Sequence, residues 1–555
     1  MNQNTKRRWL AALLGAAAGM VVFFLLYGTS TLHPTYDAWI LNGYDEWDIQ
    51  QHYAGWVLFR NSHWAFPLGL ADTIAAPDGT VISFTDSIPW VSIFFKALRG
   101  VLPSTFQWFG WYTLFCFAMQ GAAGALLCAR GQAKTGAGAL VFSTLGGLLF
   151  VMLPTLWERA FRHTALASQW LFLLALYAFL EYRQNLHGGT AKFPWAMPVL
   201  AFLAVGIHPY FLPLVMMCAL LAAVELGRQK KAWGRAALQF AASLAAAVVG
   251  GVLCGAIGSG TGASRSGYGD YSMNLNALIN PTSRGGYTWS RLYQVMPQQP
   301  GQYDGFNYLG LGVLALITAA LLFSLRPQNT KTWWHRNGPV FAACVFLTLF
   351  AVSNKIYWGN TGIELPLPAK LLELCGIFRS SGRMFYLVAA CMVVYAVYTL
   401  RDRLPGRYAV LVLALFVGVQ AFDLSAAAQQ KRQKFADPIN ATVVNNDQTA
   451  SLGAGHTQLL AAGEVREDRL RLLAILAGKQ GLATNLDIAV SGSHPAAEAS
   501  RADTAARLAA GQYDPTAVYV TTDGETWENW QAVFAGDDSL NFFVADSCYF
   551  MVPAV

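Results

Sequence analysis

The sequence predicts an α-helical polytopic membrane protein of about 11 transmembrane helices, followed by a small C-terminal extracytoplasmic α/β domain. Three observations predict this fold class. The 555-residue chain is 55% hydrophobic and only 12% charged, and its mean hydropathy of +0.36 lies outside the usual range of soluble globular proteins. Apolar segments recur along most of its length. The loops between those segments also differ in charge from one side to the other.

The apolar segments define the predicted spans. A helix needs about 20 mostly apolar residues to cross the hydrocarbon of a bilayer. Eleven segments without charges at their centres meet or approach that length: 9–28, 105–128, 137–155, 164–180, 194–207, 210–226, 236–258, 306–325, 338–352, 384–400 and 408–422. The first has the start of a secretory signal, but its apolar run is long and no small-x-small cleavage site follows, so we expect a retained span.

Lysine and arginine in the short loops predict the orientation. With a cytoplasmic N-terminus, the loops that fall inside hold 17 basic and 3 acidic residues: 1–8, 129–136, 181–194, 225–235, 326–337 and 401–407. The first outer loop, 29–104, instead holds seven acidic residues and three basic ones. We therefore expect the N-terminus inside and the C-terminal domain outside, and the net charge of +7 requires no nucleic-acid partner.

The predicted organisation has two parts. Residues 1–424 form the transmembrane domain, whose longest outer loops are 29–104 and 259–305. From about 425 the composition becomes polar, and 425–555 predicts the C-terminal α/β domain. Its predicted helices are 464–479 and 497–510, and its predicted strands are 486–490, 517–522 and 541–552.

An acidic cluster lies just beyond the first span, in "NGYDEWDIQQHYAGW" at 42–56. If 45–59 is helical, the 100° step per residue places Asp45, Asp48 and His52 on one face, with Glu46 beside them. A carboxylate on that face, partly buried beside like charges, suits a general base. A solvated acidic helix at the membrane surface fits the same pattern equally well.

Cationic and polar residues on the outer side are candidates for binding a lipid phosphate, for which arginine offers paired donors. The candidates are His52, Arg159, Arg162, His163, His208, Arg379 and Arg383, with Arg265, Arg284 and Arg291 in the long loop. Arg383 is favoured because it abuts an apolar span and its small neighbours in "SGR" permit close approach. Each of these residues can instead be a snorkelling or packing residue.

In their order along the chain these features resemble the GT-C glycosyltransferases, and most closely a group of uncharacterised bacterial GT-C-like membrane proteins. The resemblance rests on a first span, an acidic outer loop and five short motifs, and it covers 1–424. The motifs are D-x-x-Q-H-x-x-G-W at 48–56, "TDSIP" at 85–89, "RHTALASQW" at 162–170, "GFNYLGLG" at 305–312 and "FRSSGR" at 378–383.

The resemblance implies an inverting glycosyltransferase of a bacterial inner membrane. Such an enzyme passes a sugar from a polyprenyl-phosphate donor to an envelope glycan, lipid or protein on the periplasmic face. By position Asp48 matches the catalytic base best, with Asp45 and Glu46 as alternates or orienting groups, and the sequence does not decide between Asp45 and Asp48. Some GT-C branches use a divalent metal, Mg²⁺ or Mn²⁺, and others do not. A transporter or flippase of lipid-linked intermediates and a non-catalytic envelope scaffold are the alternative hypotheses.

Overall fold

The computed structural model describes residues 3–42, 48–132, 136–258, 266–324, 330–436, 442–489 and 494–554. Its helices are α1 (Gln3–Tyr27), α2 (Ala38–Leu41), α3 (Asp48–Phe59), α4 (Pro89–Ala97), α5 (Phe109–Ala129), α6 (Ala137–Val151), α7 (Pro154–Arg159), α8 (Trp170–His187), α9 (Ala196–Ile207), α10 (Phe211–Lys230), α11 (Trp233–Cys254), α12 (Leu311–Ser324), α13 (Thr330–Val352), α14 (Ala369–Gly376), α15 (Phe385–Arg403), α16 (Gly406–Lys434), α17 (Glu467–Lys479), α18 (Pro495–Ala509) and α19 (Gly524–Val533). Its strands are β1 (Leu70–Ala71), β2 (Thr80–Val81), β3 (Lys355–Trp358), β4 (Thr361–Glu364), β5 (Gln458–Ala461), β6 (Ala483–Thr484), β7 (Ala517–Thr521), β8 (Leu540–Ala545) and β9 (Cys548–Pro553).

Apolar helices make up most of the chain before residue 435. Within the described ranges, 8 of them are long and apolar enough to cross a membrane, namely α1, α5, α8, α10, α11, α13, α15 and α16. Helices α6, α9 and α12 are apolar but shorter. Every apolar segment predicted from the sequence coincides with one of these helices, so the structure is that of a multi-pass membrane protein.

Glycines allow the first helix to pack closely in the bundle. Gly15 of α1 faces Gly121 of α5, and a Cβ on either glycine would collide with the backbone carbonyl of the other. Gly19 is in the same position against the carbonyl of Phe117. Small residues of this kind let two membrane helices approach to backbone contact, where dispersion forces hold them together.

The loops predicted to be cytoplasmic meet at one end of the bundle, which we call the basic end. There Arg8 Nη1 lies 2.7 Å from Glu181 Oε2, and Arg130 Nε lies 2.9 Å from Glu181 Oε1. Arg401 donates to the carbonyl of Arg130 at 2.5 Å. The basic loops therefore share one end of the helix bundle, as a common sidedness requires.

The C-terminal part contains a five-stranded sheet of order β6-β5-β7-β9-β8. Strands β6, β5 and β7 are parallel, whereas β9 runs antiparallel to both β7 and β8. The strand predicted at 541–552 is two strands, because Asp546 and Ser547 adopt φ of 49° and 58° and turn the chain back into a hairpin. Strand β5 and helix α19 were not predicted.

The strand predicted at 486–490 is wrong for residues 486–489, which form no strand, and residue 490 lies outside the described residues. Pairing with β5 ends at Thr484, because the Asn485 side chain accepts from Ala461 N at 2.8 Å and donates to Ala461 O at 3.0 Å. The carbonyl of Leu486 is used outside the sheet, since it accepts from Ala75 N in the connection between α3 and α4 at 3.1 Å. An amide side chain thus replaces the sheet ladder at this edge.

Helix α3 lies between the transmembrane bundle and the C-terminal domain. Residues 49–59 are all buried, although the helix belongs to the long connection between α1 and α5. On one side α17 covers it, and the Asn61 side chain donates to Gly478 O at 2.6 Å. Lys479 Nζ lies 2.8 Å from Asp37 Oδ2, and the carboxylate of Asp37 also accepts from the Tyr53 hydroxyl at 2.9 Å. The C-terminal domain therefore fixes the position of α3.

Candidate active site

Helix α3 brings the first two candidate residues into the site. Asp48 is its first residue and His52 lies one turn further, so both side chains share a face. The backbone carbonyl of His52 accepts a hydrogen bond from Ser87 Oγ at 2.7 Å, which ties α3 to the "TDSIP" segment. Asp45 and Glu46 lie outside the described residues, so the choice between Asp45 and Asp48 stays a prediction.

Two imidazoles and a carboxylate form a compact cluster, which we call the His–Asp group: His52, Asp86 and His163. One ligand atom from each lies within 4.8 Å of those of the others. Asp86 Oδ2 is 3.5 Å from His163 Nε2, and the rings of His52 and His163 have centroids 5.3 Å apart. Asp86 follows a short 3₁₀ turn and adopts φ of 54°, a left-handed conformation that directs its side chain to the histidines.

His208 joins this group as a neighbour with a different role. Its Nδ1 accepts a hydrogen bond from the backbone N–H of Tyr210 at 3.2 Å, so the neutral ring carries its proton on Nε2. That Nε2 lies 3.6 Å from Asp86 Oδ1. The N–H of this ring therefore faces the Asp86 carboxylate, and the ring has no lone pair directed at the cluster.

Burial favours the uncharged form of each residue in the His–Asp group. Burial lowers the pKa of His52 to about 3 and raises the pKa of Asp86 to about 7, despite the nearby charge of Arg383. Burial also lowers the pKa of His163 well below its ordinary value, and the charge of Arg383 lowers it further. The imidazoles are therefore neutral at physiological pH, with their nitrogen lone pairs available.

A second group, the ion-pair frame, consists of Glu158 and Asp304 with the arginines that pair with them: Arg159, Arg162, Arg284 and Arg383. The Glu158 carboxylate lies 2.8 Å from Arg159 Nε and 3.1 Å from Arg284 Nε. Asp304 lies 2.8 Å from Arg159 Nη2 and 2.9 Å from Arg383 Nη2. Because Arg159 contacts both carboxylates, it joins α7 to the loop before α12.

The pKa values of the two frame carboxyls shift in the opposite direction from that of Asp86. Burial alone would raise the pKa of both carboxyls, but the arginines outweigh it and lower the pKa of Glu158 and of Asp304. Arg383 keeps some donor capacity, because its buried Nε has no hydrogen-bond partner among the described residues. Its guanidinium also lies 4.6 Å from the centroid of the Tyr210 ring.

Asp48 shares one feature with each group: the pKa of its carboxyl is raised, as in Asp86, and arginines of the ion-pair frame act on its charge. The side chain is half-buried and makes no hydrogen bond or ion pair with any residue in the described ranges. Burial raises the pKa of its carboxyl, and the charges of Arg162 and Arg284 oppose that shift without cancelling it. The charge of Asp48 in turn contributes to the raised pKa of Asp86. A carboxylate of this kind can accept a proton or a cation.

Comparison with protein-family models assigns the chain. A model described as a domain of unknown function, DUF6311, matches residues 16–425, and a model of the DUF6311 C-terminal domain matches residues 448–553. The chain belongs to the DUF6311 family. No curated protein sequence matches this DUF6311 chain.

Two solved structures of an archaeal enzyme are similar to the DUF6311 chain. One is the oligosaccharyltransferase AglB from Archaeoglobus fulgidus in complex with an inhibitory peptide and a dolichol-phosphate, with 12% identity, a TM-score of 0.41, and coverage of 87% of this chain and 64% of that one. The other is the Archaeoglobus fulgidus oligosaccharyltransferase in its apo form, with 12% identity, a TM-score of 0.39, and coverage of 96% and 73%. This chain thus spans 64% of the length of the first of these enzymes.

The structure of this DUF6311 chain brings together most of the residues predicted from sequence. His52 and His163 belong to the His–Asp group, and Arg159, Arg162 and Arg383 belong to the ion-pair frame. His208 lies beside Asp86, and the charge of Asp48 acts on that carboxyl. Arg379 is half-exposed, and its guanidinium carbon lies 5.7 Å from the centroid of the Tyr271 ring. Arg291 lies apart, because its Nε donates to Ser425 Oγ at 2.5 Å on α16. Arg265 lies outside the described residues.

Three carboxylates of the DUF6311 site were missed as site residues, although each has a signal in the sequence. Asp86 belongs to "TDSIP", Glu158 stands one and four residues before arginines, and Asp304 directly precedes "GFNYLGLG". An acid four residues before an arginine on a helix shares a face with that arginine. All three acids therefore lie within or close to a motif that the sequence displays.

Proposed function

We propose that this DUF6311 chain is a membrane glycosyltransferase of the GT-C type that uses a polyprenyl-phosphate-linked sugar donor. The observation that carries the proposal is the Asp48 carboxylate, which is half-buried and unpartnered among the described residues, at the end of a transmembrane bundle and close to buried arginines. The acceptor is an envelope glycan, lipid or protein.

Asp48 acts as the general base in this proposal. Its raised pKa moves it toward the pH at which the enzyme works, where a carboxylate accepts a proton most effectively. The acceptor nucleophile gives its proton to Asp48 as it attacks the anomeric carbon, and the bond from that carbon to the phosphate oxygen breaks. Attack on the face opposite the phosphate inverts the anomeric configuration.

Arg383 holds the donor phosphate. It is buried, fixed by Asp304 at 2.9 Å and stacked on Tyr210, while its Nε keeps an unused donor. Fixed donors aimed at the leaving oxygen stabilise the negative charge that grows there during bond cleavage. Arg379, four residues earlier on the same segment, is a second cation whose charge acts on Asp86. The remainder of the ion-pair frame keeps Arg383 in place.

The His–Asp group fits a divalent cation. Nδ1 of His52 and Nδ1 of His163 are buried without a hydrogen-bond partner in the described part of the chain. One nitrogen of each imidazole and one carboxylate oxygen of Asp86 lie within 4.8 Å of one another. Imidazole nitrogens favour transition metals over Mg²⁺, so Mn²⁺ suits this donor set better. When bound there, such an ion supplies positive charge for the donor phosphate. His208, whose Nε2 lies 3.6 Å from Asp86 Oδ1, would then lie beside the ion without being needed to hold it.

The membrane arrangement is part of the proposal. Among the described residues, eight long and three shorter apolar helices support eleven spans. The basic end is taken as the cytoplasmic side, which puts Asp48, the His–Asp group and the C-terminal domain on the periplasmic face of a bacterial inner membrane. The donor then reaches the site from the outer leaflet.

The test is mass spectrometry of envelope glycans and polyprenyl-linked sugars from four strains. They carry the intact gene, a deletion, Asp48→Asn, and Asp78→Asn as an exposed carboxylate control in the same loop. We expect the deletion and Asp48→Asn strains to lose one sugar increment and to accumulate its lipid-linked donor. The Asp78→Asn strain should match the intact one.

The outcomes separate the alternatives. A deletion phenotype with unchanged Asp48→Asn chemistry, at equal protein level, would contradict Asp48 as the base and favour Asp45. Loss of donor from the outer leaflet, without its accumulation, would favour a flippase. If carboxylate variants are normal while loss of the C-terminal domain abolishes function, the chain is a scaffold.

A further inference from the structure

A large cavity lies at the basic end, away from the candidate active site. Its volume is about 1380 Å³, which exceeds the roughly 300–1,000 Å³ of ordinary small-molecule sites. Residues of α8, α13 and α15 line it, most of them apolar. Exposed side chains along its edge, among them Phe341, Val345 and Leu349, open it sideways to where the bilayer lies.

The cavity has one strongly charged end. Its lining includes five arginines, Arg130, Arg183, Arg336, Arg401 and Arg403, and a single carboxylate, Asp402. Arg130 pairs with Glu181 at 2.9 Å and Arg401 pairs with Asp402 at 2.7 Å. The guanidinium groups of Arg336 and Arg403 have no hydrogen bond or ion pair to any described residue. Two uncommitted arginines thus stand at the mouth of an apolar cavity.

The dimensions match one leaflet of a membrane. Lining residues of α15 run from Val388 to Arg403, a rise of roughly 22 Å at 1.5 Å per residue. The hydrocarbon of one leaflet is roughly 15 Å deep, half of the whole core. A lipid with its headgroup at the arginines can therefore place its chains entirely within the cavity.

We propose that this cavity binds an anionic phospholipid of the leaflet at the basic end, with its phosphate held by Arg336 and Arg403. Arginine binds phosphate through paired charge-assisted hydrogen bonds. The ligand is distinct from the sugar donor of the proposed function. Arg403 is 20 residues from Arg383 along the chain, roughly 30 Å of helix, so a phosphate at one end cannot reach the other.

The test is native mass spectrometry of the full-length protein in detergent, titrated with phosphatidylglycerol or with phosphatidylcholine of the same acyl chains. Arg336→Gln/Arg403→Gln is compared with Arg235→Gln/Arg407→Gln, a pair at the same end whose residues are exposed and do not line the cavity. We expect preferential binding of phosphatidylglycerol, reduced about tenfold in the first variant and unchanged in the control. Neither replaced arginine of the first variant supports another residue, so both variants should fold.

A second measurement places the lipid. Phosphatidylglycerol with a photoreactive acyl chain should crosslink to peptides of α13 and α15. Equal binding of the neutral lipid, an unchanged affinity in Arg336→Gln/Arg403→Gln, or crosslinks confined to other helices would overturn the proposal. So would a polyprenyl phosphate that displaces phosphatidylglycerol from the cavity.

Discussion

In the ion-pair frame each carboxylate has an arginine nitrogen 2.8 Å away, whereas Asp48 and Asp86 have no lysine or arginine at ion-pair distance within the described ranges. All four lie at one end of the same bundle. The pairing lowers the pKa of Glu158 and Asp304, and its lack leaves burial to raise the pKa of Asp48 and Asp86.

This difference teaches how one site can combine rigidity and reactivity. Charges that are paired and buried cannot change their protonation state cheaply, so they serve as fixed scaffolding. Carboxylates without a cationic partner can accept a proton or a metal ion at physiological pH. Arg383 belongs to the frame but faces Asp86, so it connects the two behaviours.

The largest expected effect comes from breaking the frame. Asp304→Asn leaves the buried charge of Arg383 without its carboxylate and removes one of the two carboxylates of Arg159, so the free energy of unfolding should fall by about 3–5 kcal/mol. Thermal unfolding of the purified protein in detergent measures this effect. Asp86→Asn is the matched control and should change stability by less than about 1 kcal/mol. Equal losses in both variants would remove the distinction between the two groups.

The next effect concerns catalysis without loss of structure. Asp48→Asn should reduce the rate of sugar transfer by at least about 100-fold, because a general base contributes about that much or more. Its thermal unfolding should be unchanged, since the carboxylate has no described partner to lose. Turnover of a lipid-linked sugar by purified protein measures the rate. A variant that keeps full activity would show that Asp48 is not the base.

A substitution in α17, outside the candidate site, should displace α3 and leave the ion-pair frame in place. In Gly478→Ala the new Cβ would lie 2.6 Å from a Val57 side-chain carbon and 2.8 Å from the backbone carbon of Val57. Overpacking of this kind costs about 1–3 kcal/mol and should displace α3 with Asp48 and His52. Protection of α3 amides from hydrogen exchange should fall, while that of α7 stays the same. Gly524→Ala, which meets only one atom, at 3.7 Å, is the control.

The smallest expected effect concerns metal binding. His163→Ala removes one of three donors in the His–Asp group, so the affinity for Mn²⁺ should fall at least about tenfold. Electron paramagnetic resonance of free Mn²⁺ during titration measures the affinity, independently of activity. His63→Ala, whose side chain is 90% exposed, should bind like the intact protein. Indistinguishable titrations of the two variants would mean that the group holds no metal.

Local periodicity explains what the sequence could predict. The apolar segments coincide with helices, and the step between Asp48 and His52 places them on one face, because both follow from the geometry of a single helix. Asp86 could not be placed in this way, since its direction depends on a left-handed residue in a loop. Arg159 and Asp304 meet across 145 residues of chain, a separation that no local pattern encodes.

The cover over α3 has a consequence for the order in which the protein is made. Asn61 and Gly478 form a hydrogen bond across 417 residues, so α3 is synthesised long before the helix that buries it. Until then its apolar residues lack part of their packing, and the site lacks its final form. A chain truncated before α17 would therefore expose apolar residues of α3 to proteases and chaperones. The candidate site reaches its final form only after α17 has been synthesised.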